Sequence, residues 1–254
     1  MLWYKAWLDT RWRFLVGFLV LLVMACGTLF DYLATAKLMP LARSIEVSGE
    51  IGRRVKDAIE LERDFRGFVW VQWFRQNLSQ VGTLFAILLG SGGLLSRTTG
   101  AALFTLSLPV TRRELLEKRA ATGLAELLML AVVPSLIIPL AAASIGQSYG
   151  VVDALVHGIC MFVAAAVFFS VAFLLSSAFD DLWRPLLITC AIAFVLATIE
   201  LAAGDLGRFG IFHVMSAESY FRSGSIPWLG LFVAASFTTA FLYWATVTIA
   251  KRDF

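Results

Sequence analysis

Long apolar runs broken by short charged patches set the plan of the chain. Six runs are long enough to cross a hydrocarbon core about 30 Å thick at about 1.5 Å of helical rise per residue. They cover residues 14–34, 78–95, 120–144, 154–178, 185–203 and 228–250. None alternates apolar with polar positions in segments of about ten residues, as barrel strands do. The pattern predicts an all-α membrane protein, one transmembrane domain over 1–254 with six transmembrane helices.

The polar segments read differently from one another. In 1–13, Trp3, Trp7 and Phe14 fall on one side of a helical wheel, while Lys5, Asp9 and Arg13 recur every four residues on the other. That spacing predicts an N-terminal amphipathic interfacial helix, anchored by Trp with its charges facing water. The alternative is that 1–13 is the juxtamembrane end of the first span, which differs only in tilt. Residues 35–77 keep helical spacing through Ile51, Val55, Ala58, Phe65 and Val69, with charges between. They predict an extracytoplasmic helical segment running into the second span, with Trp70 and Trp73 at the membrane interface.

Between the second and third spans lies "LSLPVTRRELLEKRA", residues 106–120. Pro109 stops what precedes it, and Thr111 followed by Glu114 is a capping box, so a helix starts there and enters the membrane near Ala120. Just upstream, Leu103, Phe104, Leu106 and Leu108 form a run too short to span and too apolar to hang in water. It must lie against the membrane or another protein.

Composition agrees with a lipid solvent: 59% of residues are hydrophobic and 15% charged, against roughly 25% charged in soluble domains. The net charge of +3 gives no reason to expect nucleic acid as a partner. Cys26, Cys160 and Cys190 each sit in an apolar run, without metal-ligand spacing, and read as buried free thiols. The stretch Val23–Met24–Ala25–Cys26 resembles a lipoprotein cleavage box only faintly, since its leading segment is long and Trp-rich. Lys and Arg set the orientation: the short segment 145–153 holds no base and 96–119 holds five. Both termini are therefore expected in the cytoplasm.

Enzymatic chemistry is not apparent. Gly90–Ser91–Gly92–Gly93 is glycine-rich but lacks the Lys that a P-loop uses to reach phosphate. Ser91 as a nucleophile needs a base, and the two histidines, His157 and His213, fall near the opposite face. Small residues there suit close helix packing. Neither histidine has metal-ligand spacing, so no metal site is expected. The one deep charge is Glu126, about 10 Å inside the membrane, with Arg119 and Thr122 on the same helical face. It reads as paired with Arg119 or with a hydroxyl of a neighbouring helix, or else as a polar spot on a translocation route. Pro134 and Pro139 each free a backbone carbonyl in the third span, and 204–227 is a Gly-rich, aromatic outer loop.

The tract Leu106–Ser107–Leu108–Pro109–Val110–Thr111–Arg112–Arg113, placed between the second and third of six spans, resembles the permease subunits of ABC-2-type ATP-binding-cassette transporters. The opening "MLWYKAWLDTRWRF" and the run "WFRQNLSQVGTLFAILLGSGGLL" are similar to their first and second segments. The resemblance implies a permease of the inner membrane, moving substrate, mostly outward, by alternating access. It implies two such chains side by side and a separate ATPase that binds ATP and Mg, with no cofactor on this chain. It makes 96–119 the cytoplasmic coupling segment, carried by Leu103, Phe104, Leu106, Leu108, Pro109, Thr111, Arg112, Arg113 and Glu114. It lines the route with the second and fifth spans, where Thr83, Ser91, Thr189 and Thr198 are the polar candidates, beside Glu126. From the residues alone, 96–119 is equally an amphipathic loop anchored by snorkelling bases. The first outer segment is longer and more charged than such a permease needs. An ATP-independent secondary carrier and a non-transporting structural or sensory protein remain the alternatives, although no internal repeat supports a carrier.

Overall fold

The computed structural model describes residues 2–43, 60–92, 112–179, 181–203 and 210–250. All regular structure among them is helical: α1 (Leu2–Arg43), α2 (Phe65–Val69), a π-helical stretch (Trp70–Leu78), α3 (Ser79–Gly90), α4 (Arg112–Ala142) with a 3-10 turn (Ala143–Ile145), α5 (Val151–Ala178), α6 (Trp183–Ala202), α7 (Ile211–Met215), α8 (Glu218–Ser223) and α9 (Trp228–Ala250). A helix closes its backbone hydrogen bonds within one segment, which is why apolar runs of this length adopt it in a bilayer.

Five of these helices, α1, α4, α5, α6 and α9, are long and apolar enough to cross a membrane. The chain is a multi-pass membrane protein by that measure. The expected second span, 78–95, forms differently. α3 holds only twelve residues and is continuous with the π-helical stretch and α2. Together they form a rod of about 39 Å.

The expected separate helix over 1–13 is not formed. α1 runs without a break from Leu2 to Arg43, about 63 Å at helical rise. Its faces also differ from the expectation. Ala6, Thr10, Gly17 and Leu21 are buried, Arg13 reaches into the bundle, and Trp3, Trp7 and Trp12 point outward. The physical reason is the solvent. Lipid accepts exposed indoles, whereas a guanidinium is stable only where protein supplies acceptors. At Gly17 a Cβ would come within 2.6 Å of the Phe85 ring, so that ring of α3 packs directly on the backbone of α1.

α5 is the centre of the bundle. Of its most apolar stretch, 67% is buried, against 17% for α6 and 11% for α9. It packs against α9, α4, α3, α7 and α6. Phe168, Phe169 and Phe173 from α5 meet Ile87 and Leu89 of α3 and Leu127 of α4 in the core. Trp70 and Trp73 are fully buried inside the bundle. Each indole N–H finds an acceptor: Trp73 donates to the Ser135 hydroxyl at 3.3 Å and Trp70 to the Ser216 carbonyl at 3.0 Å. A paired indole can enter the interior without leaving an unmet donor.

Candidate functional site

The polar groups gather at the two ends of the bundle. The first cluster forms where α3 stops. A helix leaves its last carbonyls without partners, and here Arg13 supplies a donor, while Arg119 holds a carbonyl just beyond the helix end. Arg13 of α1 donates to the Leu88 carbonyl at 3.0 Å and to that of Ser91. Arg119 of α4 donates to the Gly92 carbonyl at 3.1 Å. Cations at a helix C-terminus also meet the negative end of its dipole. Gly92 has φ +137°, and a Cβ there would sit 2.8 Å from the Arg119 guanidinium and 3.0 Å from that of Arg13. Only glycine fits that position. α5 joins through Ser176, whose hydroxyl accepts the Gly92 N–H at 3.1 Å.

Glu126 lies two helical turns beyond Arg119 on the same face of α4. It is 4% exposed and accepts a hydrogen bond from the Thr10 hydroxyl of α1 at 2.8 Å. Arg119 is 8% exposed and lies within electrostatic reach of Glu126 without a direct ion pair. Four helices, α1, α3, α4 and α5, thus meet through charged and hydroxylic groups. Ser91 Oγ, Arg119 Nε and Glu126 Oε2 are buried without a hydrogen-bond partner among the described residues.

The second cluster closes the other end. The Ser216 carbonyl accepts from both Trp70 and His157 Nδ1, the latter at 3.1 Å, which fixes the proton of neutral His157 on Nδ1. Phe221 stacks on Trp70 at 4.5 Å, and His157 stacks on Phe74 at 4.4 Å. Glu200 of α6 accepts the backbone N–H groups of Phe212 and His213 at 3.1 and 2.7 Å, capping α7. Glu218 pairs with His213 at 3.1 Å and with Arg222 at 2.7 Å. The segment expected as a loop over 204–227 therefore contains two short helices clasped to the bundle.

Tyr220 donates to Asp153 at 2.7 Å, and that bond, with burial second, holds its phenol proton above the usual range. The contribution to stability is full below pH 10.0, the ordinary phenol value, and fades as pH rises through the higher folded value. Tyr220→Phe is expected to cost about 1 kcal/mol at neutral pH. The thermal midpoint in detergent measures it, and the difference from wild type should shrink in strong alkali.

Comparison with family models, with curated proteins and with solved structures finds no significant match. The chemistry of the chain must be read from its own residues.

Of the residues singled out in the sequence, Ser91 and Glu126 meet in the first cluster. Thr83 is buried, donates to the Ser79 carbonyl and touches the Met215 sulfur at 3.4 Å. Thr189 donates to Pro185 at 2.7 Å, and Thr198 donates to Phe194 at 2.9 Å on the exposed side of α6. These three hydroxyls are engaged by their own helices and do not join the cluster. Leu103, Phe104, Leu106, Leu108, Pro109 and Thr111 lie outside the described residues. α4 begins at Arg112 with Glu114 in its first turn, and Arg113 pairs with Glu117 at 2.7 Å on the exposed surface. Such a pair contributes little.

Thr10 and Ser176 are not singled out by the sequence, where Arg13 falls on the water-facing stripe and Gly92 in a run of small packing residues. Four-residue spacing of Ala6 and Thr10, continued to Gly17 and Leu21, was the available signal for an inward face of small residues. Ser91 and His157 stand at opposite ends: His157 lies about 28 Å along α5 from Ser176, at helical rise. They form no nucleophile and base pair.

Proposed function

We propose that the chain is the membrane-spanning permease subunit of an ATP-driven transporter of the ABC-2 type, acting as an exporter. It crosses a bacterial-type inner membrane six times, the composite rod Phe65–Gly90 serving as the second span, with both termini in the cytoplasm. A separate ATPase binds ATP and Mg and docks on 96–119, and a second permease chain completes the route.

The observation that carries this reading is the anchoring of the chain on either side of 93–111. Arg13 holds the carbonyls of Leu88 and Ser91 where α3 ends, and Arg119 of α4 holds that of Gly92. A displacement of either flank reaches α1, α3, α4 and α5 together through buried hydrogen bonds. A contact of that kind suits a membrane subunit that receives work from a partner. Nucleotide drives the change only by binding one state better than the other, so the coupling must be stiff enough to convey that difference.

Co-purification tests the proposal. A tagged chain expressed from its native locus is expected to retain an ATPase subunit with a P-loop. The double variant Leu103→Asp/Phe104→Asp is expected to lose most of it while keeping its helical content. An ATPase retained equally by both chains removes the coupling role, and the absence of any ATPase with the wild type removes the proposal.

A further inference from the structure

The N-terminal turns of α1 carry aromatic and basic groups that neither polar cluster uses. Trp3, Trp7 and Arg11 recur every four residues and so form one stripe, with Tyr4 beside them. Trp3, Tyr4 and Trp7 are 51%, 66% and 39% exposed, and the rings of Tyr4 and Trp7 lie 6.3 Å apart. Lys118 of α4 sets its ammonium 4.9 Å from the centre of the Trp3 ring. The Arg11 guanidinium lies 5.6 Å from the Trp12 ring, and its Nε is buried without a partner. Among the described residues, neither Lys118 nor Arg11 forms an ion pair. The surrounding charge is basic: 2–13 holds three bases and one acid, and 112–119 four bases and two acids.

We propose that this stripe binds the head group of an anionic phospholipid. Lys118, held at the Trp3 ring, takes the phosphate, Arg11 adds positive charge about 12 Å further along α1, and Trp3, Tyr4 and Trp7 seat the glycerol and upper acyl region at the membrane boundary. Aromatic rings with one wet edge settle at that depth. Bases held over indole faces, with no ion-pair partner among the described residues, present positive charge that complements an anionic head group. A zwitterionic head group would bring its own cation beside Lys118. Each base held against an anionic surface is worth roughly fivefold in affinity. The inference rests on the membrane nature of the chain and is independent of any ATPase.

The full chain, purified in non-ionic detergent, is titrated with phosphatidylglycerol or phosphatidylcholine brominated on the acyl chains, and quenching of Trp fluorescence is followed. The expected midpoint for phosphatidylglycerol is lower by roughly fivefold or more at low salt. That preference should fall towards unity in about 0.5 M salt and in Arg11→Gln/Lys118→Gln. It should persist in Arg11→Lys/Lys118→Arg. Equal midpoints in the wild type overturn the proposal, as does a preference that survives the double glutamine change. If that variant loses its helical circular dichroism, the wild-type salt series decides, and a preference unmoved by salt overturns it.

Discussion

Arg119→Ala is expected to lower the stability of the bundle by about 2–3 kcal/mol, the range for removing a charged donor from a buried acceptor. Arg119 is 8% exposed and supplies the donor that the Gly92 carbonyl receives. Its charge also lies within reach of Glu126, whose carboxylate accepts from the Thr10 hydroxyl. The alanine variant therefore loses two things at once: the Gly92 carbonyl, just past the end of α3, loses its donor, and Glu126 loses a cation within electrostatic reach. Arg119→Lys keeps the charge but not the planar fork of donors, so it should fall between the two. The double change Arg119→Ala/Glu126→Ala should cost less than the sum of the single changes, because it leaves no lone charge behind. Unfolding in mixed detergent measures all five proteins, the wild type and Glu126→Ala included. An alanine variant within about 1 kcal/mol of wild type would show that the network is not what holds the end of α3.

Gly90→Ala is the second large effect. A Cβ at Gly90 would lie 2.3 Å from the Phe169 carbonyl oxygen and 3.0 Å from the Ala172 Cβ. Neither neighbour is the flexible end of a side chain, so α3 and α5 would have to separate. The expected cost is about 3 kcal/mol, at the upper end for overpacking. Gly82→Ala is the matched control on the same helix. Its Cβ would meet the Met161 terminal methyl at 2.3 Å, and a methionine can rotate away. It should cost less than about 1 kcal/mol. Equal losses at the two glycines would mean that the backbone contact is not limiting. In lipid, helices are held by close packing rather than by exclusion of water, which is why one methyl group at α3 against α5 matters this much.

The parts of this structure legible in the sequence are those fixed by local pattern. Apolar runs of twenty or so residues became α1, α4, α5, α6 and α9, and Pro109, Thr111 and Glu114 pointed to the helix that opens at Arg112. Glu126 stood out because a carboxylate that deep needs a partner. What failed was the assignment of faces. Arg13 was placed towards water with Lys5 and Asp9, because polar residues face out in a soluble helix. In this bundle its acceptors are backbone carbonyls some seventy-five residues away, which no local pattern reveals. The burial of Trp70 and Trp73 inside the bundle depends on Ser216 and Ser135, far along the chain, which residue type alone does not reveal. The two short helices after α6 carry no periodic signal strong enough to read, and nothing local marks Trp70–Leu78 as π-helical rather than α-helical.

The close approach at Gly17 gives α1 the geometry of a rocker. From that point the rod extends about 22 Å to Leu2 and about 39 Å to Arg43. A rigid tilt about the Phe85 contact would carry the far tip nearly twice as far as the end that bears Trp3.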